Sequence, residues 1–299
     1  MFDVRIMFGL AVFPILLSCQ AADDTLPQRD VSNAVSTVTK QAVDNQIFVP
    51  GGTFAMGDFG AVGEDGVWRP YFPPTAEVDV AHDVKLSDYS IAKYETTWFE
   101  FDTFLSATGR TAYLLVNGER LPRSLYNKNS EDWGYVAHPA ETTWQDAKAY
   151  CAWLAEETGR DFDLPTSAQW EFAARNRGSK DWVYATHDGK PLNGPNPYDS
   201  GSVGPVGTRL PANPLGLYDM AENAEEWVED WYSETYYSES DGATDPTGPA
   251  EGEGRVLRSL GAGSLSFSFS YRIGSKRFDG SPALAGFRCA IDNVQGETE

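Results

Sequence analysis

Residues 177–214 constrain the fold of this chain more than any other stretch. Glycine, proline and asparagine dominate here, and no apolar period of a helix or strand runs through it. A compact domain rarely carries an irregular segment of this length unless the segment is functional or is pinned by something. We therefore expect a fold in which long loops are carried by a small number of regular elements.

Regular elements are predicted on either side of this stretch. Apolar residues at helical spacing indicate helices over residues 97–108, from Thr143 to Gly159, and from Thr166 onwards. Strand patterns occur at residues 48–57, 84–94, 227–232, 255–260 and 286–291. The Gly- and Pro-rich residues 58–81 predict a loop. We see no internal repeat, and we predict one domain over residues 46–292, followed by an acidic tail at residues 293–299.

The N-terminus carries an export signal. Residues 6–17 are apolar apart from Gly9 and Pro14, and they follow Arg5. This segment is too short to span a bilayer, so it predicts a signal peptide over residues 1–18. Residues 19–45 show no steady apolar period, and we interpret them as a flexible tether.

The end of this signal resembles the lipobox of bacterial lipoproteins. Its sequence is Leu16-Leu17-Ser18-Cys19, and the resemblance implies that Cys19 is lipidated and becomes the first residue. The protein would then be attached to a membrane of the bacterial cell envelope, in the periplasm or at the outer membrane. The alternative is an ordinary secretory signal that is cut near Ala21 or Ala22.

Two cysteines remain beyond Cys19, and they are Cys151 and Cys289. A cysteine pair in an oxidising compartment suggests one disulfide, here across well over a hundred residues. Loop entropy would give such a bond about 4–5 kcal/mol of stabilisation. Helical spacing with Ala147 and Tyr150 turns Cys151 inward, which suits a disulfide. The alternative is two unrelated buried thiols.

The net charge of −21 limits the choice of partners. Phosphate binding requires clustered Lys and Arg, so we do not expect a nucleic acid partner. Most of the carboxylates are explained by solubility. Some of them could instead hold a hard cation such as Ca²⁺.

Six sequence blocks point together to a family. They are VPGGTFAMG at 49–57, HP at 138–139, WQDAKAYC at 144–151, LPTSAQWEFAAR at 164–175, NPLGLYDMAEN at 213–223 and GFRC at 286–289. In this order they resemble the formylglycine-generating enzyme, or sulfatase-modifying factor, family. The resemblance implies an α+β fold related to C-type lectins, with much irregular structure, small antiparallel sheets and a few helices. It also implies that Cys151 and Cys289 correspond to a family disulfide.

The resemblance fails at the catalytic cysteines. Active family members bind copper through two cysteines after a Gly-Gly-Ser motif, and they use copper and oxygen to convert a sulfatase cysteine to formylglycine. Here the motif ends at Ser264, the corresponding positions are Phe267 and Arg272, and no cysteine lies between Cys151 and Cys289. Because soft thiolates hold Cu(I) and hydroxyls do not, we do not expect copper or this oxidase chemistry.

A calcium site is also implied by the resemblance, on residues 218–227. By position, Asp219 and Glu226 would supply side chains, and Glu222 and Ala224 would supply backbone carbonyls. Oxygen ligands that include two carboxylates suit a hard cation.

Two departures from the family pattern leave this site open. Glu222 stands where a glycine is usual, and Glu225 stands where a tryptophan is usual. The alternative is an acidic stretch that faces water. A second family calcium site would fall in residues 193–200, with Asn196 and Asp199 as its side chains.

Residues 265–271 alternate serine with aromatic residues. They predict either an ordinary half-buried strand or a ligand surface, because the resemblance places the active groove here. Arg272, Lys276 and Arg277 would give that groove a cationic edge suited to an anionic group. The candidate groove residues are Ser264, Arg272 and Arg277.

Three functions remain in view. One is a maturation or oxidoreductase-type factor of the cell envelope, like periplasmic relatives that lack the copper cysteines and take part in maturation of the siderophore pyoverdine. Another is a non-catalytic, lectin-like ligand-binding or envelope-assembly lipoprotein. The third, a true formylglycine-generating oxidase, is disfavoured by the missing cysteines. The partner would be an envelope substrate or a protein ligand, and a fold alone does not choose between them.

Overall fold

The computed structural model describes residues 28–73, 76–111, 113–116, 119–122, 136–191, 203–259, 273–274 and 284–292. The helices are α1 (Gln28–Asp44), α2 (Trp98–Ala107), α3 (Trp144–Thr158), α4 (Ser167–Ala174) and α5 (Tyr236–Glu239). The first strands are β1 (Gln46–Val49), β2 (Gly52–Met56), β3 (Ala61–Val62), β4 (Trp68–Arg69), β5 (His82–Leu86), β6 (Tyr89–Ala92), β7 (Tyr113–Val116) and β8 (Glu119–Pro122). The later strands are β9 (Phe162–Asp163), β10 (Glu226–Trp231), β11 (Arg255–Arg258), β12 (Ile273–Gly274), β13 (Gly286–Phe287) and β14 (Ala290–Ile291).

Two small sheets organise the fold. One has the strand order β1-β6-β14-β9 with antiparallel pairs, and the other has the order β12-β11-β10-β13. In the second sheet β13 pairs with β10 in parallel, while the other pairs are antiparallel. Residues 284–292 therefore supply a strand to each sheet. The predicted α+β fold, with small and mostly antiparallel sheets, few helices and much irregular structure, is confirmed.

The helices predicted from apolar spacing are confirmed as α2, α3 and α4. Each begins at a threonine that accepts a hydrogen bond from a backbone N–H of its first turn: Thr97, Thr143 and Thr166. Helix α3 ends at Gly159, whose φ of 69° is a left-handed conformation that favours glycine. Local capping chemistry and apolar spacing agree here, which is why the sequence predicts these helices well.

The interpretation of residues 19–45 as a flexible tether is wrong for α1. Val31, Val35, Val38 and Ala42 recur at helical spacing, although serine and threonine between them hide the pattern. Val38 is fully buried, and Val35 and Ala42 pack against the same core cluster. The folded domain therefore begins before residue 46 and includes α1.

The stretch predicted as a loop over residues 58–81 contains the short hairpin β3–β4. Buried Asp58 organises it, because its Oδ1 accepts hydrogen bonds from the backbone N–H groups of Gly60 and Tyr71 at 2.9 and 3.0 Å. Its Oδ2 accepts one from Phe72 at 2.8 Å. Two-residue strands are too short to be detected from alternation in the sequence.

The irregular stretch before β10 is pinned by Asn213. This buried side chain donates from Nδ2 to the carbonyl of Ala173 at 3.0 Å. Its Oδ1 accepts from the N–H groups of Leu215 and Leu217 at 3.0 and 3.1 Å. Among the described residues, this amide joins the end of the stretch to the end of α4.

The disulfide between Cys151 and Cys289 is present, with an S–S distance of 2.00 Å. It joins α3 to residues 284–292 inside an apolar cluster that includes Phe101, Tyr150 and Phe287. A second apolar cluster lies around α4, β2 and β5. Over the described ranges, no helix has the length and apolar character needed to cross a bilayer.

Candidate functional site

Residues 218–226 lead from the irregular stretch into β10 and carry the predicted calcium ligands. Asp219, Glu222, Ala224 and Glu226 are all buried. The alternative of an acidic stretch facing water is therefore wrong for these positions. Burying carboxylates is costly unless each is paired or hydrogen-bonded, so the partners of each group define what this segment can do.

Glu226 is paired with Arg288. Arg288 donates from Nη2 to Oε1 at 2.6 Å and from Nε to Oε2 at 2.8 Å, which is a two-point ion pair. The indole Nε1 of Trp170 donates to Oε2 at 3.0 Å. Both side chains of the pair are 0 % exposed. Both carboxylate oxygens of Glu226 are thus already engaged.

The remaining donors of Arg288 reach the backbone. Nη1 donates to the carbonyls of Ala92 and Lys93 at 3.1 and 3.3 Å, and Nη2 donates to that of Tyr218 at 3.0 Å. Burial lowers the pKa of Arg288, but the charge of Glu226 and those of Glu95 and Asp219 outweigh it and raise the pKa. Arg288 therefore remains charged and ties the end of β6 to the segment before β10.

Glu95 is a third buried carboxylate beside this pair. It follows β6, and its oxygens accept from Nδ2 of Asn223 at 2.5 Å and from the N–H of Ala224 at 2.9 Å. Burial, followed by the charges of Asp219 and Glu226, raises the pKa of Glu95 well above its usual range. Arg288 only partly offsets this increase. The hydrogen bonds of Glu95 thus fix the turn at Asn223, whose φ is 74°.

Asp219 has one engaged and one open carboxylate oxygen. Oδ2 accepts a hydrogen bond from the N–H of Gly207 at 2.6 Å. Oδ1 is buried and has no hydrogen-bond partner. Burial raises the pKa of Asp219, against the lowering effects of Gly207 and Arg288. Its backbone φ of 59° is left-handed, which Asp tolerates better than most residues.

The four predicted ligands therefore fit calcium only in part. Asp219 has a buried, open oxygen on a short turn, as a ligand requires. Glu226 does not fit, because Arg288 occupies both of its oxygens and a divalent cation there would stand against a guanidinium. In the part of the chain that the structure describes, no three His, Cys, Asp or Glu side chains are grouped to hold a metal. Calcium binding at residues 218–226 stays a prediction that now centres on Asp219.

A second buried ionic network lies on α4. Glu171 is 0 % exposed and accepts from Arg175 on one oxygen and from Arg258 on the other, at 3.0 Å each. Its Oε1 also accepts the N–H of Gly57 at 2.9 Å. Arg258 donates to the hydroxyl of Tyr237 at 2.7 Å. This network joins α4, β2 and β11, and we assign it to the framework of the fold.

The sequence did not single out Arg288 or Glu95 as site residues. Arg288 lies in the GFRC block beside Cys289, and a charged residue between two buried strand residues is a signal that could have indicated an interior pair. Glu95 follows a strand and has the same appearance as an exposed carboxylate. Pairing across 62 residues, as between Glu226 and Arg288, leaves no periodic trace in the sequence.

Several predicted positions lie outside the described residues. They are the signal peptide, Cys19, the loop at 193–200 with Asn196 and Asp199, the groove residues Ser264, Arg272 and Arg277, and the tail at 293–299. These remain predictions from sequence.

Comparison with known proteins gives a consistent result. The model of the sulfatase-modifying factor enzyme 1-like domain matches residues 31–293. A formylglycine-generating enzyme of Streptomyces coelicolor is 32 % identical, and the alignment covers 83 % of this chain and 89 % of that protein. Mouse inactive C-alpha-formylglycine-generating enzyme 2 is 28 % identical and covers 82 % of this chain and 84 % of its own length.

Solved structures share the fold. PvdO from Pseudomonas aeruginosa superposes with a TM-score of 0.59 at 24 % identity, covering 82 % of this chain and 93 % of that chain. Treponema denticola variable protein 1 superposes with a TM-score of 0.57 at 20 % identity, covering 82 % and 94 %. This chain belongs to the sulfatase-modifying factor, or formylglycine-generating enzyme, family. The family match begins within α1, in agreement with the packing of that helix on the core.

Proposed function

We propose that this protein is an exported factor of the bacterial cell envelope that matures an envelope substrate by oxidoreductase-type chemistry without copper thiolates. The observation that carries the proposal is the Cys151–Cys289 disulfide, which uses both cysteines beyond Cys19. A disulfide sulfur is not a thiolate, and Cu(I) in this family is held by thiolates. The chain therefore has no cysteine left in the domain for the family's oxidase chemistry.

The same disulfide supports export. Disulfides persist in the periplasm and outside the cell, and they are rare in the reducing cytosol. Together with the apolar segment at residues 6–17 and the Leu-Ser-Cys sequence ending at Cys19, this favours a lipid-anchored protein on the periplasmic side of a membrane. The folded domain would start within about ten residues of Cys19, at α1.

The working surface would be the groove formed by residues 264–277. Ser264, Arg272 and Arg277 are its candidate polar groups, and their cationic edge in a protein of net charge −21 favours an anionic group on the substrate. Calcium at Asp219 would be structural. The assignment to a periplasmic maturation branch of the family rests on the sequence resemblance, and the likeness to PvdO supports the shared fold.

The copper part of the proposal is tested with the purified mature chain, Cu(I), oxygen and a sulfatase-derived cysteine peptide. The Streptomyces coelicolor enzyme serves as the positive control under the same conditions. We expect no aldehyde from this chain, as judged by mass spectrometry. Aldehyde formation would overturn the proposal.

The maturation part is tested in the producing organism. We expect deletion of the gene to cause accumulation of an envelope or secreted compound that is more reduced than the wild-type product. The Arg272→Ala/Arg277→Ala variant should fail to restore the product while melting at the wild-type temperature. If deletion changes no compound but a protein partner is lost from the anchored chain, the domain is a non-catalytic binding module instead. The genomic neighbourhood would indicate which compound to examine first.

A further inference from the structure

A cavity of about 190 Å³ lies between the C-terminal end of α1 and the body of the domain. We call it the α1 cavity. Gln46 borders it on the side of α1, Glu95 and Glu100 on the side of β6 and α2, and Tyr150 on the side of α3. One water needs about 10–15 Å³ of such space, so the α1 cavity has room for a small organic molecule. The described residues that line it fall within 41–46, 92–100 and 150–162, with Val206 and Cys289, and these ranges do not overlap in sequence with the groove predicted at residues 264–277.

The charge of the lining is one-sided. Glu95 and Glu100 both border the α1 cavity, and no Lys, Arg or His is among the described residues that line it. Aromatic and aliphatic side chains, including Tyr94, Leu154 and Phe162, share the rest of the wall with uncharged polar residues such as Gln41, Asn45 and Thr96. An acidic, partly apolar cavity of this kind suits a ligand with one cationic end and a short hydrocarbon portion.

Three polar atoms at the α1 cavity lack a protein partner. Glu100 uses Oε2 to accept the N–H and hydroxyl of Thr97 at 2.7 and 2.6 Å, and among the described residues its Oε1 accepts no hydrogen bond. Gln46 has a buried Oε1 with no partner. Tyr150 is 2 % exposed, and its hydroxyl makes no hydrogen bond within the described ranges. Buried polar groups are nearly always satisfied, and of these three atoms Gln46 Oε1 is the buried one. The carboxylate oxygen of Glu100 and the hydroxyl of Tyr150 add two acceptors for a ligand with several donors.

We propose that the α1 cavity binds a small protonated primary amine. The ammonium group has three N–H donors and no acceptor, which matches Glu100 Oε1, Gln46 Oε1 and the Tyr150 hydroxyl oxygen. The hydrocarbon portion would lie against Leu154 and Phe162. The ring of Tyr150 also offers a face to the cation.

Electrostatics favours a cation over a neutral or anionic ligand of the same size. Burial raises the pKa of Glu100, against the lowering effect of the two Thr97 donors. The charge of Glu100 also contributes to the raised pKa of Tyr150, so these two groups interact electrostatically. An ammonium beside Glu100 removes this cost because it supplies the missing counter-charge. The net charge of −21 raises the local concentration of cations around the protein.

The test uses the purified mature chain and three probes of one shape: n-butylamine, 1-butanol and propionate. Binding is measured by saturation-transfer NMR and calorimetry. We expect weak, saturable binding of n-butylamine and none of the other two. Equal binding of 1-butanol and n-butylamine would show that the cation is not recognised. Failure of n-butylamine to bind the folded protein would show that the α1 cavity holds only water.

Two variants test whether the amine binds in the α1 cavity. Glu100→Gln keeps the volume and the hydrogen bonds of the helix cap but removes the charge, and we expect binding to weaken by at least about tenfold. Ala42→Leu fills the α1 cavity from α1 without altering any charge, and we expect it to abolish binding. Glu157→Gln, on the exposed face of α3, is the matched control and should bind like wild type. Wild-type affinity in both cavity variants would overturn the proposal.

Discussion

Glu226 and Arg288 form a fully buried two-point ion pair that connects the start of β10 with the residues between β13 and β14. The pair stands where the family pattern predicts a carboxylate ligand for calcium. The positive charge that balances Glu226 is therefore supplied by Arg288 of the same chain. Interactions of this kind are sensitive to the loss of one partner, because the other is then left as an uncompensated buried charge.

Arg288→Leu should lower the free energy of unfolding by about 3–5 kcal/mol, since Glu226 loses its cation. The double variant Arg288→Leu/Glu226→Leu should be less unstable than the sum of the single changes, because no unpaired charge remains. Urea denaturation checks both. Lys40→Ala, in the exposed pair with Asp44, is the control and should barely move the midpoint. An Arg288→Leu protein as stable as wild type would contradict the assignment.

Loss of the disulfide should also be costly. Cys151 and Cys289 are 138 residues apart, and the constraint removed from the unfolded chain predicts a loss of about 2–5 kcal/mol. The Cys151→Ser/Cys289→Ser protein is compared with wild type by denaturant midpoint, with and without reductant. We expect reductant to destabilise only wild type. A response of the double variant to reductant would mean that the effect does not come from this bond.

Asp230 should make stability depend on pH. Burial raises the pKa of this carboxyl from 3.8 to about 6, against the lowering effects of the Ser167 N–H and Arg258. The folded state holds the proton more tightly than the unfolded state, so the contribution of Asp230 to stability is greatest below pH 4 and is lost as pH rises towards 6. The loss is about 3 kcal/mol from this group.

Asp230→Asn keeps an acceptor for Ser167 but cannot ionise, so it should remove this part of the pH dependence. Denaturation midpoints of both proteins at several pH values between 4 and 7 measure the difference. Parallel pH profiles for the two proteins would show that Asp230 has an ordinary pKa.

Calcium should raise the melting temperature, and the effect should depend on Asp219. A ligand present at a hundredfold excess over its dissociation constant adds about 2.7 kcal/mol to the folded state. Asp219→Asn keeps the left-handed backbone, which Asn also tolerates, and should abolish the shift between calcium and chelator. If wild type melts at the same temperature with calcium and with chelator, the prediction of a calcium site at Asp219 is wrong.

The sequence predicts local features of this fold well and distant pairing poorly. Helices α2, α3 and α4 have apolar spacing and threonine caps within one segment, so their ends could be predicted. Helix α1 was missed because its buried stripe consists of valine and alanine among hydroxyl residues. The order of the strands in the two sheets depends on contacts between distant segments, which alternation within one strand does not encode.

The candidate site shows the same division. Asp219 and Glu226 could be placed on one short segment by resemblance to the family. Their environment could not be predicted, because the identity of an acidic residue does not tell whether water, calcium or Arg288 contacts its carboxylate. The Glu95 contact with Asn223 joins residues 128 positions apart. Only the assembled fold brings them together.

Residues 284–292 contribute to both sheets, to the disulfide and to the ion pair with Glu226. These contacts all involve partners far back in the chain, and such long-range contacts make folding slow. A chain that stops before residue 284 would lack both β13 and β14, and would lose Arg288 and Cys289 with them. Until residues 284–292 are present, neither four-stranded sheet is complete, and a chain truncated before them should stay open to proteolysis.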